Sequence, residues 1–355
     1  MRRLADSGAD SVTLAAAYHS VRAATPRHPG HRVVDAHEAA LYTMVRPAAW
    51  AGRALRPEPP GAWAAPDSFA RASDTVTEAG LAVEAWIVLT HSSVAGGRVP
   101  DACVTNAFGD VYSYALCPSD DRVVEYATTL VSEIALDGAE GLVLEACGPL
   151  GFEHAGRHEK TEGGGWGRGA IALLSLCFCR SCRRALEASG LDPEEVAAHV
   201  RASVDRNADV DALGGVADVL LQVRRRSTAR LAESVVSAAR DGGVRRIAVH
   251  AQPDPWGVGP ASAVLGRVEG VDSYIVPTSA LEEGRAAADL RDRCGGASLA
   301  AYVSGMPPRA PDAPEKSWPA LVDAGVDELY VYHAGLLDDE RLTGVERGLA
   351  AVRSR

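Results

Sequence analysis

Three cysteines crowd into Cys177-Phe178-Cys179-Arg180-Ser181-Cys182, and the chain holds seven in all. Cys-x-Cys-x-x-Cys offers three thiolates within one short segment. Zinc takes four soft ligands in a closed structural site, so a fourth must come from elsewhere. Cys117, in Leu116-Cys117-Pro118-Ser119, is the choice. Cys103 and Cys147 are alternatives, and Cys294 reads as a buried hydrophobe. A catalytic zinc keeps an open position and usually includes His, so four Cys imply a structural ion. The bland reading is a set of reduced, unliganded thiols. A second signal is one acid in an apolar run, Gly141-Leu142-Val143-Leu144-Glu145-Ala146-Cys147-Gly148. Burial disfavours the charged carboxylate and raises its pKa, which suits a general acid near neutral pH. The bland reading there is a Glu paired with a buried Arg or His.

These residues need a frame. Eight short apolar runs recur: Val12–Tyr18, Ala40–Val45, Ala82–Thr90, Gly141–Ala146, Arg246–His250, Val271–Val276, Ser298–Val303 and Glu328–His333. Each reads as a parallel strand covered on both faces. Helix signals lie between most of them. Ser119-Asp120-Asp121 and Asp192-Pro193-Glu194-Glu195 are N-terminal caps, and Gly242-Gly243 and Gly295-Gly296 are stops. Arg46 to Pro66 is proline-rich and reads as an ordered loop. The expectation is α/β: a single (β/α)8 TIM-barrel domain over residues 1–355, with a long insertion at about 147–244. A doubly wound sheet is the runner-up.

A barrel places its active site at the C-terminal ends of its strands. Those ends carry His19, His91, Glu145, His250, Asp254, Trp256, Tyr302, Tyr332 and His333. A single strand-end His is usually a hydrogen-bonded structural residue. Four of them, with aromatic neighbours, point to a pocket for a hydroxyl-rich ligand. The loop after Glu145 adds His154, His158 and Glu159, either as a solvated charged loop or as a flap that Gly163-Gly164-Gly165 would make mobile.

The formal charge is −11, which argues against nucleic acid as a partner. Nearly all the positive charges are Arg, with only Lys160 and Lys316 as Lys, a compositional bias rather than a sign of phosphate recognition. No apolar run reaches the ~18 residues of a membrane span. Asp6 and Asp10 interrupt any signal-peptide core. The expectation is a cytoplasmic protein without a membrane partner.

The residues from Asn106 to Arg184 resemble glycoside hydrolase family 42, the β-galactosidase-like barrels, and more broadly barrel glycosyl hydrolases with a Cys-x-Cys-x-x-Cys motif. Cys117-Pro118-Ser119 matches the segment that opens the helix before strand four. Glu145 stands where that family keeps its acid/base. Cys177, Cys179 and Cys182 with Cys117 match its zinc ligands. The resemblance implies a glycosidase acting on a small glycoside or oligosaccharide, with structural zinc, and leaves a homo-oligomer open. Two departures matter. Leu144 stands where the family has Asn, and strand seven, Ala300-Ala301-Tyr302-Val303-Ser304-Gly305, carries no nucleophilic acid. Asp254 is then the candidate base of an inverting pair, with a turn residue as its bland reading. His19, His91, His154, His158, His250, Trp256, Tyr302 and His333 would bind sugar. Two alternatives stand beside hydrolysis: a carbohydrate-binding barrel that lost its nucleophile, and a barrel lyase or isomerase.

Overall fold

The computed structural model describes residues 2–155, 159–282 and 287–355. Its main sheet is built from β1 (Ser11–Tyr18), β2 (Ala40–Leu41), β3 (Ala82–Val88), β4 (Gly141–Glu145), β5 (Arg246–His250), β6 (Ser273–Pro277), β7 (Ser298–Ser304) and β8 (Glu328–Tyr332). The order across the sheet is β8-β7-β6-β5-β4-β3-β1-β2. All pairs are parallel except β1 with β2. Helices cover the outside: α1 (Ser68–Glu78), α2 (Asp121–Ala135), α3 (Arg180–Glu187), α4 (Pro193–Asp205), α5 (Gly215–Asp241), α6 (Ala287–Arg293), α7 (Pro314–Asp323) and α8 (Asp339–Arg353). This is the expected α/β barrel class.

The second strand departs from the sequence reading. Ala40–Val45 supplies only two sheet residues, and they run antiparallel to β1, with Ala17 opposite Leu41. A parallel return needs a crossover, usually a helix. Here Val21–Ala24 and Val33–Ala36 form an antiparallel hairpin instead, so the chain comes back in the opposite direction. β3 therefore pairs directly with β1. Among the described residues no ladder joins β8 to β1. That seam is held by side chains. Arg27 donates to the carbonyls of Leu337 and Ala334 at 2.9 and 2.7 Å, Arg3 pairs with Glu346 and Asp339 at 2.8 Å, and Arg353 pairs with Asp10 at 2.7 Å.

The strands alternate between two apolar layers, as a period of two requires. Val83, Ala85, Ile87, Leu142, Leu144, Ile247 and Val249 pack outward in one cluster with helix residues such as Leu130, Ile134, Leu231 and Val235. Trp86, Val88, Val143, Ala248, Ile275 and Ala300 belong to an interior cluster. The insertion has a third cluster of its own, built on Leu173, Phe178, Leu186, Val200 and Leu220.

Polar side chains close the N-terminal end of the interior. Glu84 accepts from Thr13 at 3.1 Å, from Arg246 at 3.2 Å and from the Tyr330 hydroxyl at 3.2 Å, and Arg246 also binds Glu328. Glu84 is only 3% exposed. Burial raises its pKa, and Arg246 opposes that shift. Arg246→Met strands the carboxylate. Because the guanidinium is partly solvated, the expected loss is about 2 kcal/mol, below the range for a fully buried broken pair. Denaturant unfolding should show a smaller loss at pH 5 than at pH 8, since a protonated Glu84 no longer needs its cation. Equal losses at both pH values would show that Glu84 does not rely on Arg246.

Candidate active site

Glu145 is the last residue of β4 and is 7% exposed. Trp86, reaching across from β3, donates its indole Nε1–H to Glu145 Oε2 at 2.8 Å. Burial pushes the carboxyl up to about 7, and the Trp86 bond pulls weakly the other way. No Arg, Lys or His among the described residues bonds to it, so the ion-paired reading fails. The next residue, Ala146, has φ +57°, the left-handed region that L side chains rarely occupy. Its N–H donates to Pro260 at 2.8 Å, and its carbonyl accepts from Thr90 at 2.9 Å. The acid therefore sits on a backbone that the surrounding loops hold in place.

Aromatic rings surround this pair. Tyr18, Tyr332, His250 and His333 lie 5.3 to 5.9 Å from the Trp86 ring. Tyr302 lies 5.1 Å from Tyr332 and 5.3 Å from His250. Burial lowers His250 and His333 to about 4, so both are neutral imidazoles at pH 7. Burial also raises the phenols of Tyr18 and Tyr302, and the nearby Glu145 charge adds to both shifts.

A second imidazole group continues from Tyr18. His19 stacks on Tyr18 at 4.4 Å and on His91 at 4.6 Å. His91 Nδ1 and His154 Nε2 share a hydrogen bond of 2.9 Å. Burial lowers His19, and it lowers His91 to about 2 and His154 to about 4, with repulsion from His154 and His19 adding at His91 and from His19 at His154. The mouth thus offers neutral donors and acceptors around one acid. That chemistry suits hydroxyl groups and proton donation, not the binding of an anion.

The structure gathers Glu145, His19, His91, His154, His250, Tyr302 and His333 at one end of the sheet. It places Asp254 and Trp256 differently. Asp254 Oδ1 accepts the Trp256 N–H at 2.9 Å in a turn, and Trp256 packs on the insertion cluster. The charge of Asp254 acts on the half-buried Arg224, which desolvation lowers to about 10 and Asp254 raises in part. His158 lies outside the described residues. Sequence reasoning overlooks Trp86, which in an apolar run looks like ordinary core. Its signal is the indole N–H, which needs a partner when buried.

The cysteines converge as expected. The sulfurs of Cys117, Cys177, Cys179 and Cys182 all lie within 4.8 Å of one another and could hold a metal ion. Cys117 is 3.6 Å from Cys177 and from Cys182. That is far beyond a disulfide, and a tetrahedral ion with bonds of about 2.3 Å would set sulfurs about 3.8 Å apart. The donor set therefore fits a closed tetrahedral thiolate site. The alternative fourth ligands are elsewhere: Cys103 donates to Gly96 at 3.6 Å, and Cys147 is buried next to Glu145.

No family model matches the chain, and no curated protein matches it in sequence. Solved structures do. The catalytic domain of beta-amylase from Paenibacillus polymyxa is similar at 12% identity and TM-score 0.57, over 99% of this chain and 93% of that one. Alpha-L-fucosidase isoenzyme 2 from Paenibacillus thiaminolyticus is similar at 12% identity and TM-score 0.56. The match covers 99% of this chain and 45% of the fucosidase, so the chain spans less than half the length of that protein. At this identity the likeness is one of fold, and it establishes the chain as an α/β barrel of the TIM type.

Proposed function

We propose that the protein is a glycoside hydrolase-like enzyme for a small glycoside or oligosaccharide, with Glu145 as general acid. The observation that carries this reading is a buried carboxyl at the end of β4, bonded to one indole and set among neutral rings. A carboxyl held near neutrality can give its proton to a glycosidic oxygen. Tyr18, Tyr302, Tyr332, His250 and His333 would hold sugar hydroxyls and faces. The resemblance to family 42 barrels and the carbohydrate enzymes among the similar folds support the same substrate class. A structural zinc at the four cysteines belongs to this reading.

Asp254 is the proposed base of an inverting pair, which needs carboxyls about 6.5–9.5 Å apart with room for water. Its Oδ1 accepts the Trp256 N–H, and Oδ2 would be the oxygen that takes the proton from water. The second reading, a sugar binder without turnover, rests on Glu145 itself: burial and Trp86 account for its shift, with no other carboxylate among the described residues acting on it. Aryl glycosides of common hexoses separate the two. The expected result is turnover that falls at least a hundredfold in Asp254→Asn. Turnover unchanged in that variant removes Asp254 from the mechanism. Binding of a sugar with no turnover of any glycoside favours the second reading.

A further inference from the structure

The chain is acidic overall, yet one groove on its flank is lined by cations and hydroxyls. It lies between the turn that opens α2, the helix α3 and the middle of α5, and holds about 310 Å³. Arg184, Arg226, Arg230, Ser119, Ser181 and Ser227 line it. Its single acid, Asp121, is already paired with Arg230. Some surface arginines are matched with acids, as Arg122 with Asp120, Arg183 with Glu194 and Arg240 with Asp272. Among the described residues Arg184 and Arg226 have no such match. Arg184 Nε reaches only the Arg180 carbonyl at 3.5 Å, and Arg226 Nη2 only the Gln222 amide oxygen at 3.3 Å.

Arg226 and Arg230 stand one turn apart on the same face of α5, a spacing that sets like charges against each other. Arg184 faces them from α3. The hydroxyls add to this. Ser119 Oγ lies 3.3 Å from Cys182 Sγ, which ties the groove to the cysteine cluster. Ala185 and Val223 give the groove an apolar part. Two unmatched guanidinium forks suit the oxygens of a phosphate, which they can bind in bidentate fashion. The volume is at the small end of ligand sites and exceeds what a bare phosphate fills.

We propose that this groove binds a small phosphate monoester, of the size of a hexose phosphate, apart from the Glu145 site. Cys182 lies within α3, and Ser119 follows Cys117 by two residues. A ligand held here ties the cysteine cluster to α5. The inference does not depend on the glycosidase reading.

Titration calorimetry of the full chain at low salt tests it, with glucose 6-phosphate, glucose, inorganic phosphate and heparin as probes. Glucose 6-phosphate should bind at least tenfold more tightly than glucose. The Arg184→Ala/Arg226→Ala variant should weaken it at least tenfold, with an unchanged melting temperature in the absence of ligand. Should the double variant fail to fold, Arg226→Ala alone carries the comparison. Added salt should weaken the binding. No heat with either phosphate at millimolar concentration overturns the proposal, as does equal binding by the variant. Binding of heparin alone also overturns it and makes the groove a polyanion face.

Discussion

Glu145→Gln should abolish glycoside turnover and, at pH 8, raise the melting temperature by several degrees. The two effects have one cause. The folded protein holds this carboxyl at about 7, above its ordinary value of 4.5, because burial disfavours the charge. A raised pKa contributes stability that is fully present below the unfolded value and is lost as pH rises through 7. At pH 8 the wild type has lost about 3 kcal/mol relative to acid conditions. Gln stays neutral throughout, and its amide oxygen can still accept the Trp86 N–H. Melting curves of the two proteins should therefore coincide near pH 4.5 and separate by pH 8. Wild-type turnover should fall above about pH 7 as the acid deprotonates. Parallel melting curves would show that Glu145 carries no desolvation cost. Unchanged turnover would remove it from the mechanism.

Cys182→Ser should remove the metal and much of the stability. Cys182 is buried between Cys117 and the start of α3, and its loss leaves three ligands for an ion that wants four. Structural zinc sites contribute on the order of 10 kcal/mol of apparent binding free energy at neutral pH, and that energy is folding energy. Metal analysis should find about one zinc per wild-type chain and none in the variant. The variant should melt well below the wild type, and a chelator should lower the wild type toward it. Cys294→Ser is the control: that thiol donates to the Leu290 carbonyl at 3.2 Å, outside the cluster, and its replacement should leave the metal content unchanged. A metal-free wild type that melts as before with chelator would mean four unliganded thiols.

The legible parts of this fold share a physical cause. Parallel strands covered on both faces need near-continuous apolar runs, so β1 and β3 through β8 could be read directly. Helix starts were legible where a side chain caps them, as Asp120 does for Arg122, Asp192 for Glu194 and Asp338 for Arg341. β2 was not, because apolar residues reveal a strand but not its direction, and direction depends on what connects it. Glu145 stood out because a charge in an apolar run is costly. Trp86 did not, because an aromatic in such a run is ordinary. The pairing of Glu84 with Arg246 joins residues 162 apart in sequence, and local pattern carries no trace of it.

The missing ladder between β8 and β1 leaves this barrel a rolled sheet with two edges. In a closed barrel every strand is restrained on both sides, and the width of the mouth is fixed by strand number and stagger. Here Tyr18 and Tyr332 stand on opposite sides of that seam, and their side chains share a hydrogen bond across it. Among the described residues the two sides meet through side-chain bonds such as those of Arg27, Arg3 and Arg353, with no backbone ladder between them. A ligand that touches both Tyr18 and Tyr332 would act as the missing rung.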